Sequence, residues 1–231
     1  MTTQTAARAA GVLYLVSYVG FIAGSGLAFA ALDPASTLEG IRASQSQITL
    51  GVVLQFVNVA AILGFSALLY PQLKKHGEGV ALWYVGSRIL EGAAYVVSMI
   101  STLSLVSVSA AESSTEESFA VAQLVTIGTI SGATLIATIA LLVGAVALYG
   151  LLYRSRLVPR FISVWGLGAV VLLALGNVLL PSGPTELSPA ALLYAPMPLN
   201  ELFLAVWLIV KGLRATITSD AVPSSRSGAL G

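Results

Sequence analysis

Cysteine is absent from the 231 residues of this chain, and histidine occurs once, as His76. Without cysteine the chain can form no disulfide, and it has neither a thiolate metal site nor a cysteine nucleophile. His76 follows Lys74 and Lys75 between two hydrophobic blocks, which excludes a histidine metal site and a relay of histidines within a membrane. We therefore expect no metal and no cofactor.

Common catalytic motifs are missing as well. The sequence has no G-x-S-x-G elbow, no H-E-x-x-H pair and no glycine-rich phosphate loop. The serines of the hydrophobic blocks have no evident base, although two carboxylates could carry out acid–base chemistry. The sequence does not exclude an enzyme, but it favours a protein without catalytic activity.

Charged residues are scarce. They make up 9% of the chain, and 57% of the residues are hydrophobic. A soluble domain carries about 25% charged residues. The net charge of +1 does not indicate a nucleic-acid partner. The hydrophobic residues form long blocks instead of amphipathic patterns, so we expect the lipid bilayer to be the partner of this surface.

Six blocks are long enough to cross a bilayer, for which roughly 20 mostly apolar residues are needed. We predict an all-α fold, a polytopic bundle of six transmembrane helices in a single domain over residues 1–214. Prolines suit the limits of the spans, because a proline lacks the backbone donor that a helix interior needs. Pro34 follows the first block, Pro71 ends the second and Pro181 closes the fifth. The predicted spans are residues 11–32, 48–70, 80–109, 119–153, 161–180 and 197–213.

Basic residues predict the orientation, since short cytoplasmic loops are enriched in lysine and arginine. The loops on the other side hold Arg42 and most of the acidic residues, and the alternation is consistent through every loop. We therefore predict that both termini are cytoplasmic. Nine of the eleven basic residues fall on that side: Arg8, Lys74, Lys75, Arg154, Arg156, Arg160, Lys211, Arg214 and Arg226.

The first hydrophobic block and the polar residues at the carboxyl end each have a feature of their own. Arg8 before an apolar run that ends in Ala28-Phe29-Ala30 is similar to a signal peptide with a small-residue cleavage site. The run exceeds 20 residues, whereas a signal core has about 7 to 15, so a retained helix is favoured. Residues 215–231 are polar and rich in serine, which predicts a disordered cytoplasmic tail.

Three ionisable residues lie inside the predicted spans: Arg88 and Glu91 in the third, and Glu201 in the sixth. A charge at mid-membrane costs about 2.5 to 3.5 kcal/mol, so we expect these residues to face other helices and pair. One arginine facing two glutamates leaves one negative charge, which a proton, a cation or a cationic ligand would neutralise. Other polar residues of the spans could complete the network: Gln55, Asn58, Asn177 and Asn200.

Two functions stay open on this evidence. The first is a protein that binds or moves a small molecule, a cation or a proton, with Arg88, Glu91, Glu201, Asn58 and Gln55 as candidate binding residues. The second is a non-catalytic interaction protein or accessory subunit, in which the same cluster only fixes how the helices pack.

Pairs of glycines four residues apart bear on the second function. Gly20 and Gly24 form such a face in the first span, and Gly128 and Gly132 form another in the fourth. Small residues at this spacing let helix backbones approach closely in lipid. They could make a homo-oligomer or pack within one chain, and packing within the chain is favoured.

Several segments resemble a bacterial membrane family called domain of unknown function 4386, and they cover nearly the whole chain except the tail. The most specific is LLYRSRLVPR at 151–160. The others are RAAGVLY at 8–14, LLYPQLK at 68–74, RILE at 88–91, EL at 201–202 and WLIVKG at 207–212. The resemblance implies a multi-span protein of the bacterial cytoplasmic (inner) membrane, and it places all three intramembrane charges in shared motifs. It implies no activity.

Overall fold

The computed structural model describes residues 2–29, 36–180 and 191–214 of the chain. This part is built from helices and short connections, and six of its helices are long and apolar enough to cross a membrane. The protein is therefore a multi-pass membrane protein, as the sequence predicts. The helices are α1 (Thr3–Phe29), α2 (Leu38–Ala43), α3 (Gln45–Leu73), α4 (Glu78–Ala110), α5 (Glu116–Ser155), α6 (Arg160–Leu179), α7 (Ala191–Tyr194) and α8 (Pro196–Val210).

The six predicted spans correspond to α1, α3, α4, α5, α6 and α8. Several limits differ from the predicted ones: α1 begins at Thr3, α8 ends at Val210, and α3 does not end at Pro71 but continues to Leu73. A proline so close to the end of a helix removes only one of the last backbone hydrogen bonds, so the final turn can still form. Pro34, Pro181 and the tail at 215–231 lie outside the described residues.

Both ends of the described chain lie on the same side of the bundle. The Gln4 side-chain amide donates a hydrogen bond to the backbone carbonyl of Leu213, at 2.5 Å. The backbone N–H of Arg214 donates to the carbonyl of Leu157, in the connection between α5 and α6, at 2.9 Å. These contacts place both ends of the described chain and the α5–α6 connection at one face. We call this face, which carries Arg8, Arg154, Arg156, Arg160, Lys211 and Arg214, the basic side, and the opposite face the acidic side.

Helices α4 and α5 are longer than the bilayer requires. They have 33 and 40 residues, which at about 1.5 Å per residue exceeds a hydrocarbon core of about 30 Å. On the acidic side the short helix α2 packs onto this long hairpin, where Ile41 is buried with Leu105 and Phe119. Arg42 donates to the carbonyl of Ser109 (2.5 Å) and to that of Ala111 (3.0 Å), so it satisfies the free carbonyls at the end of α4. This contact gives the one basic residue of the acidic side a structural role.

Helices α1 and α3 pack through glycines. A Cβ atom at Gly20 would lie 2.8 Å from the carbonyl oxygen of Leu54, and one at Gly24 would lie 2.8 Å from that of Gly51. Contacts of that length with backbone atoms leave no room for a side chain. The first glycine face is therefore occupied by α3 of the same chain, and it brings α1 close enough for its side chains to reach the centre of the bundle.

Candidate functional site

The structure brings the three intramembrane charges together, although they come from distant parts of the chain. Arg88 Nη1 donates to Glu91 Oε2 at 2.8 Å, and Arg88 Nη2 lies 3.4 Å from Glu201 Oε1. The three residues are buried, with exposures of 2%, 3% and 6%. This is the arrangement that the cost of charges in lipid predicts: the charged groups pair with each other and turn away from the hydrocarbon.

Local structure explains how each charge is positioned. Arg88 and Glu91 are separated by one turn of the uninterrupted helix α4, so both side chains leave the same face. Glu201 lies on α8, which begins with Pro196, a residue whose fixed backbone angle favours the start of a helix. The cluster therefore joins the middle of α4 to the first turns of α8.

Tyrosines that were not among the predicted site residues form an inner layer around the cluster. Tyr18 Oη donates to Glu201 Oε2 at 2.5 Å, and Arg88 Nη2 donates to Tyr14 Oη at 3.3 Å. The Arg88 guanidinium also lies 5.6 Å from the centre of the Tyr84 ring, within the range of a cation–π contact. Tyr14 and Tyr18 are four residues apart, so a helix places both on one face; a tyrosine pair at this spacing within an apolar span was the available signal.

A pocket of about 320 Å³ extends from the cluster. Its wall is mostly apolar and aromatic, and Arg88, Glu91 and Glu201 are the charged residues that line it. All six spanning helices contribute to it, together with α7. Among its other lining residues are Ser17, Tyr18, Phe21, Asn58, Tyr95 and Tyr194.

The polar residues proposed to complete the network behave differently from one another. Asn58 lines the pocket, and its side-chain nitrogen has no hydrogen-bond partner among the described residues, although the residue is only 2% exposed. Gln55 does not line the pocket and lies at the contact between α3 and Gly24.

The other two asparagines bond to backbone carbonyls elsewhere. Asn177 donates to the carbonyl of Leu173 on its own helix at 2.8 Å, and Asn200 donates to that of Ile162 on α6 at 3.0 Å. A span sequence does not show which way an amide side chain turns, and in the structure both amides donate to backbone carbonyls of α6.

A family model described as domain of unknown function (DUF4386) matches residues 9–212, so the chain belongs to this family. The match confirms the resemblance seen in the sequence, and its range includes the whole cluster and its tyrosine layer. No curated protein and no solved structure matches the chain. Function therefore has to be argued from the site itself.

Proposed function

We propose that this member of the domain of unknown function 4386 family binds a small molecule within the membrane, in the pocket that ends at Arg88, Glu91 and Glu201. The observation that carries the proposal is the 320 Å³ pocket, which falls at the lower end of the range of about 300 to 1,000 Å³ for small-molecule sites. Such sites combine an apolar wall with a few convergent polar groups, and this pocket has that composition.

The unpartnered nitrogen of Asn58 offers the pocket a hydrogen-bond donor for a bound molecule. A buried donor without a partner costs about 1 to 3 kcal/mol, and an acceptor on a ligand would remove that cost. Because Asn58 lines the pocket, an acceptor on a bound molecule or a water would meet that donor.

The lining residues also indicate the direction of access. Tyr194 of α7 and Pro198 in the first turn of α8 line the pocket, and both residues lie at the acidic-side end of the last span. The ligand would therefore enter from the acidic side, which the distribution of basic residues predicts to face outwards. Transporters often break their helices at the binding site, whereas α1 and α4 continue through this one, which favours binding over transport.

A cysteine-free chain allows a direct test. Ser17 lines the pocket and Ser66 does not, yet both are almost completely buried and both donate to the backbone carbonyl three residues earlier. In the full-length protein in membranes, we expect Ser17→Cys to react with a water-soluble methanethiosulfonate and Ser66→Cys to stay unmodified. Equal rates for the two variants would contradict the proposal.

The second candidate function, assembly with a second copy, depends on the other glycine face. A Cβ atom at Gly128 or Gly132 would meet no atom within 4 Å among the described residues, in contrast to the filled face at Gly20 and Gly24. Such a face would allow α5 of two copies to approach closely. Oxidative cross-linking should then join two chains of Gly128→Cys but not of Val171→Cys, a control at an exposed position of α6. Absence of a cross-linked dimer would exclude this face as the interface.

A further inference from the structure

We infer that the pocket selects organic cations: small molecules that carry a protonated amine or a quaternary ammonium group on an apolar body. This inference rests on the proposed function and names the chemical class of its ligand. Three features of the site carry it: the surplus negative charge, the way in which Arg88 distributes its hydrogen bonds, and the aromatic walls.

The charges of the site do not balance. Arg88 is the positive residue of the pocket, and Glu91 and Glu201 are the negative ones. With both carboxylates ionised the pocket carries one uncompensated negative charge, and an uncompensated charge in the low dielectric of a membrane is costly. A cationic ligand removes this cost, whereas an anionic ligand doubles the surplus.

The hydrogen bonds assign the surplus mainly to Glu201. Arg88 makes its short contact with Glu91, at 2.8 Å, and reaches Glu201 only at 3.4 Å with a nitrogen that also contacts the Tyr14 hydroxyl. Glu201 is otherwise held by the neutral hydroxyl of Tyr18, which orients the carboxylate without neutralising it. Glu201 is therefore the weakly compensated carboxylate, and it lines the pocket.

The wall of the pocket fits an organic cation better than a metal ion. Tyr18, Phe21, Tyr95 and Tyr194 line it, and the rings of Phe21 and Tyr95 meet edge to face with centroids 6.0 Å apart. Aromatic faces attract ammonium groups and also accommodate apolar carbon, so one wall can serve both halves of such a ligand. A divalent metal ion would need several oxygen or nitrogen ligands. No group of three or more His, Cys, Asp or Glu side chains in the described ranges is arranged to hold one.

Asn58 adds a requirement on the neutral part of the ligand. Its side-chain nitrogen has no hydrogen-bond partner among the described residues, and Asn58 lines the pocket from α3, whereas Glu201 lines it from α8. A hydroxyl, ether or carbonyl oxygen on the ligand body would accept that hydrogen bond. Amines with such an oxygen should therefore bind more tightly than plain alkylamines, and Asn58→Leu should remove the difference.

Charged thiol reagents test the sign of the selectivity. The Ser17→Cys variant is treated with the trimethylammonium-ethyl and the sulfonato-ethyl methanethiosulfonates, and each rate is divided by the rate for a free thiol in solution. We expect the cationic reagent to react faster by about tenfold or more, because a site of one sign concentrates counter-ions. Adding Glu201→Gln should bring the ratio close to one. Adding Glu78→Gln, at an exposed position on α4, should leave it unchanged.

The outcomes separate the two proposals. If neither reagent modifies Ser17→Cys, the pocket is closed to water-borne molecules, and the proposed function fails together with this inference. If both reagents react at equal normalised rates, the pocket is accessible and the proposed function stands, but the selectivity for cations is wrong. A ratio that survives Glu201→Gln would also overturn the role of Glu201.

An isosteric pair tests the ligand class by protection. Benzyltrimethylammonium and neopentylbenzene have nearly the same shape and differ by one positive charge. We expect the cation to slow the modification of Ser17→Cys by a neutral methanethiosulfonate, and the hydrocarbon to have a weaker effect. Equal protection would overturn the inference. Glu201→Asp, which keeps the charge, should retain protection, and melting curves of each variant in detergent show that it is folded.

Discussion

Arg88 of α4 and Glu201 of α8 are 113 residues apart in the sequence, and their Nη2 and Oε1 atoms lie 3.4 Å apart in the structure. The contact connects the third and sixth spans, and Tyr14 and Tyr18 connect the first span to the same two residues. One cluster therefore fixes the relative positions of three helices and forms the floor of a pocket. Substitutions in the cluster should affect stability and binding differently, because the charge of Glu91 is closely paired with Arg88 whereas that of Glu201 is not.

Replacing Arg88 should destabilise the protein strongly. Arg88→Met keeps much of the side-chain volume but leaves Glu91 and Glu201 facing each other without a positive charge. Breaking a buried ion pair by removing one partner costs about 3 to 5 kcal/mol. We expect a large drop in melting temperature in detergent, and none for the exposed Lys75→Met. Equal melting temperatures for the two variants would show that the cluster contributes nothing to folding.

The two glutamates should differ in their effect on stability. Glu91→Gln removes the partner of the 2.8 Å contact with Arg88, so we expect it to lower the melting temperature clearly. Glu201→Gln removes the surplus charge and keeps an acceptor for Tyr18, so we expect stability to be retained or raised. Thermal melts of the two variants in the same detergent measure this. An equal loss for both would contradict the assignment of the surplus to Glu201.

The hydroxyl of Tyr18 should contribute to stability. Tyr18→Phe removes the donor that lies 2.5 Å from Glu201 Oε2 and leaves a buried carboxylate oxygen without that bond. A hydrogen bond to a charged group contributes about 1.5 to 3 kcal/mol. We expect a loss of that order in the free energy of unfolding, measured by denaturation in mixed micelles. Tyr153→Phe, at a partly exposed ring on α5, serves as the control and should have little effect.

The two glycine faces should respond oppositely to a single methyl group. Gly24→Ala places a Cβ 2.8 Å from backbone atoms of α3, so α1 and α3 must separate and the melting temperature should fall. Gly128→Ala meets nothing within 4 Å among the described residues and improves helix propensity by up to about 1 kcal/mol. We expect it to be neutral or stabilising for the single chain. A similar loss for both substitutions would mean that α5 also has a close neighbour.

The orientation of the bundle can be measured with a reporter that is active only outside the cytoplasm. Alkaline phosphatase inserted after Glu112, between α4 and α5, should be active, and the same reporter fused after Gly231 should be inactive. The reverse pattern would show that the basic side faces outwards, and the pocket would then open towards the cytoplasm.

Much of the fold could be predicted from the sequence, because in a bilayer each span must satisfy its own backbone hydrogen bonds. A block such as residues 80–109 has no alternative to a helix, and α4 occupies Glu78–Ala110. The prediction failed at Pro71, where a rule for helix interiors was applied to the last turn. The sequence also predicted that charges in the spans would turn inwards, because the cost of exposing them to lipid depends on the residue and not on its neighbours.

The chain by itself determined six spans, their approximate limits and the presence of one arginine and two glutamates in the interior. Only the tertiary structure decided that Glu201 meets Arg88, that Tyr14 and Tyr18 complete the cluster, and that Asn58 but not Gln55 lines the pocket. The difference has a physical reason. The formation of a helix in lipid depends on local composition, whereas helix association depends on close packing and on directional polar contacts between distant segments. A hydrophobic pattern in the sequence specifies where helices form and does not specify how they associate.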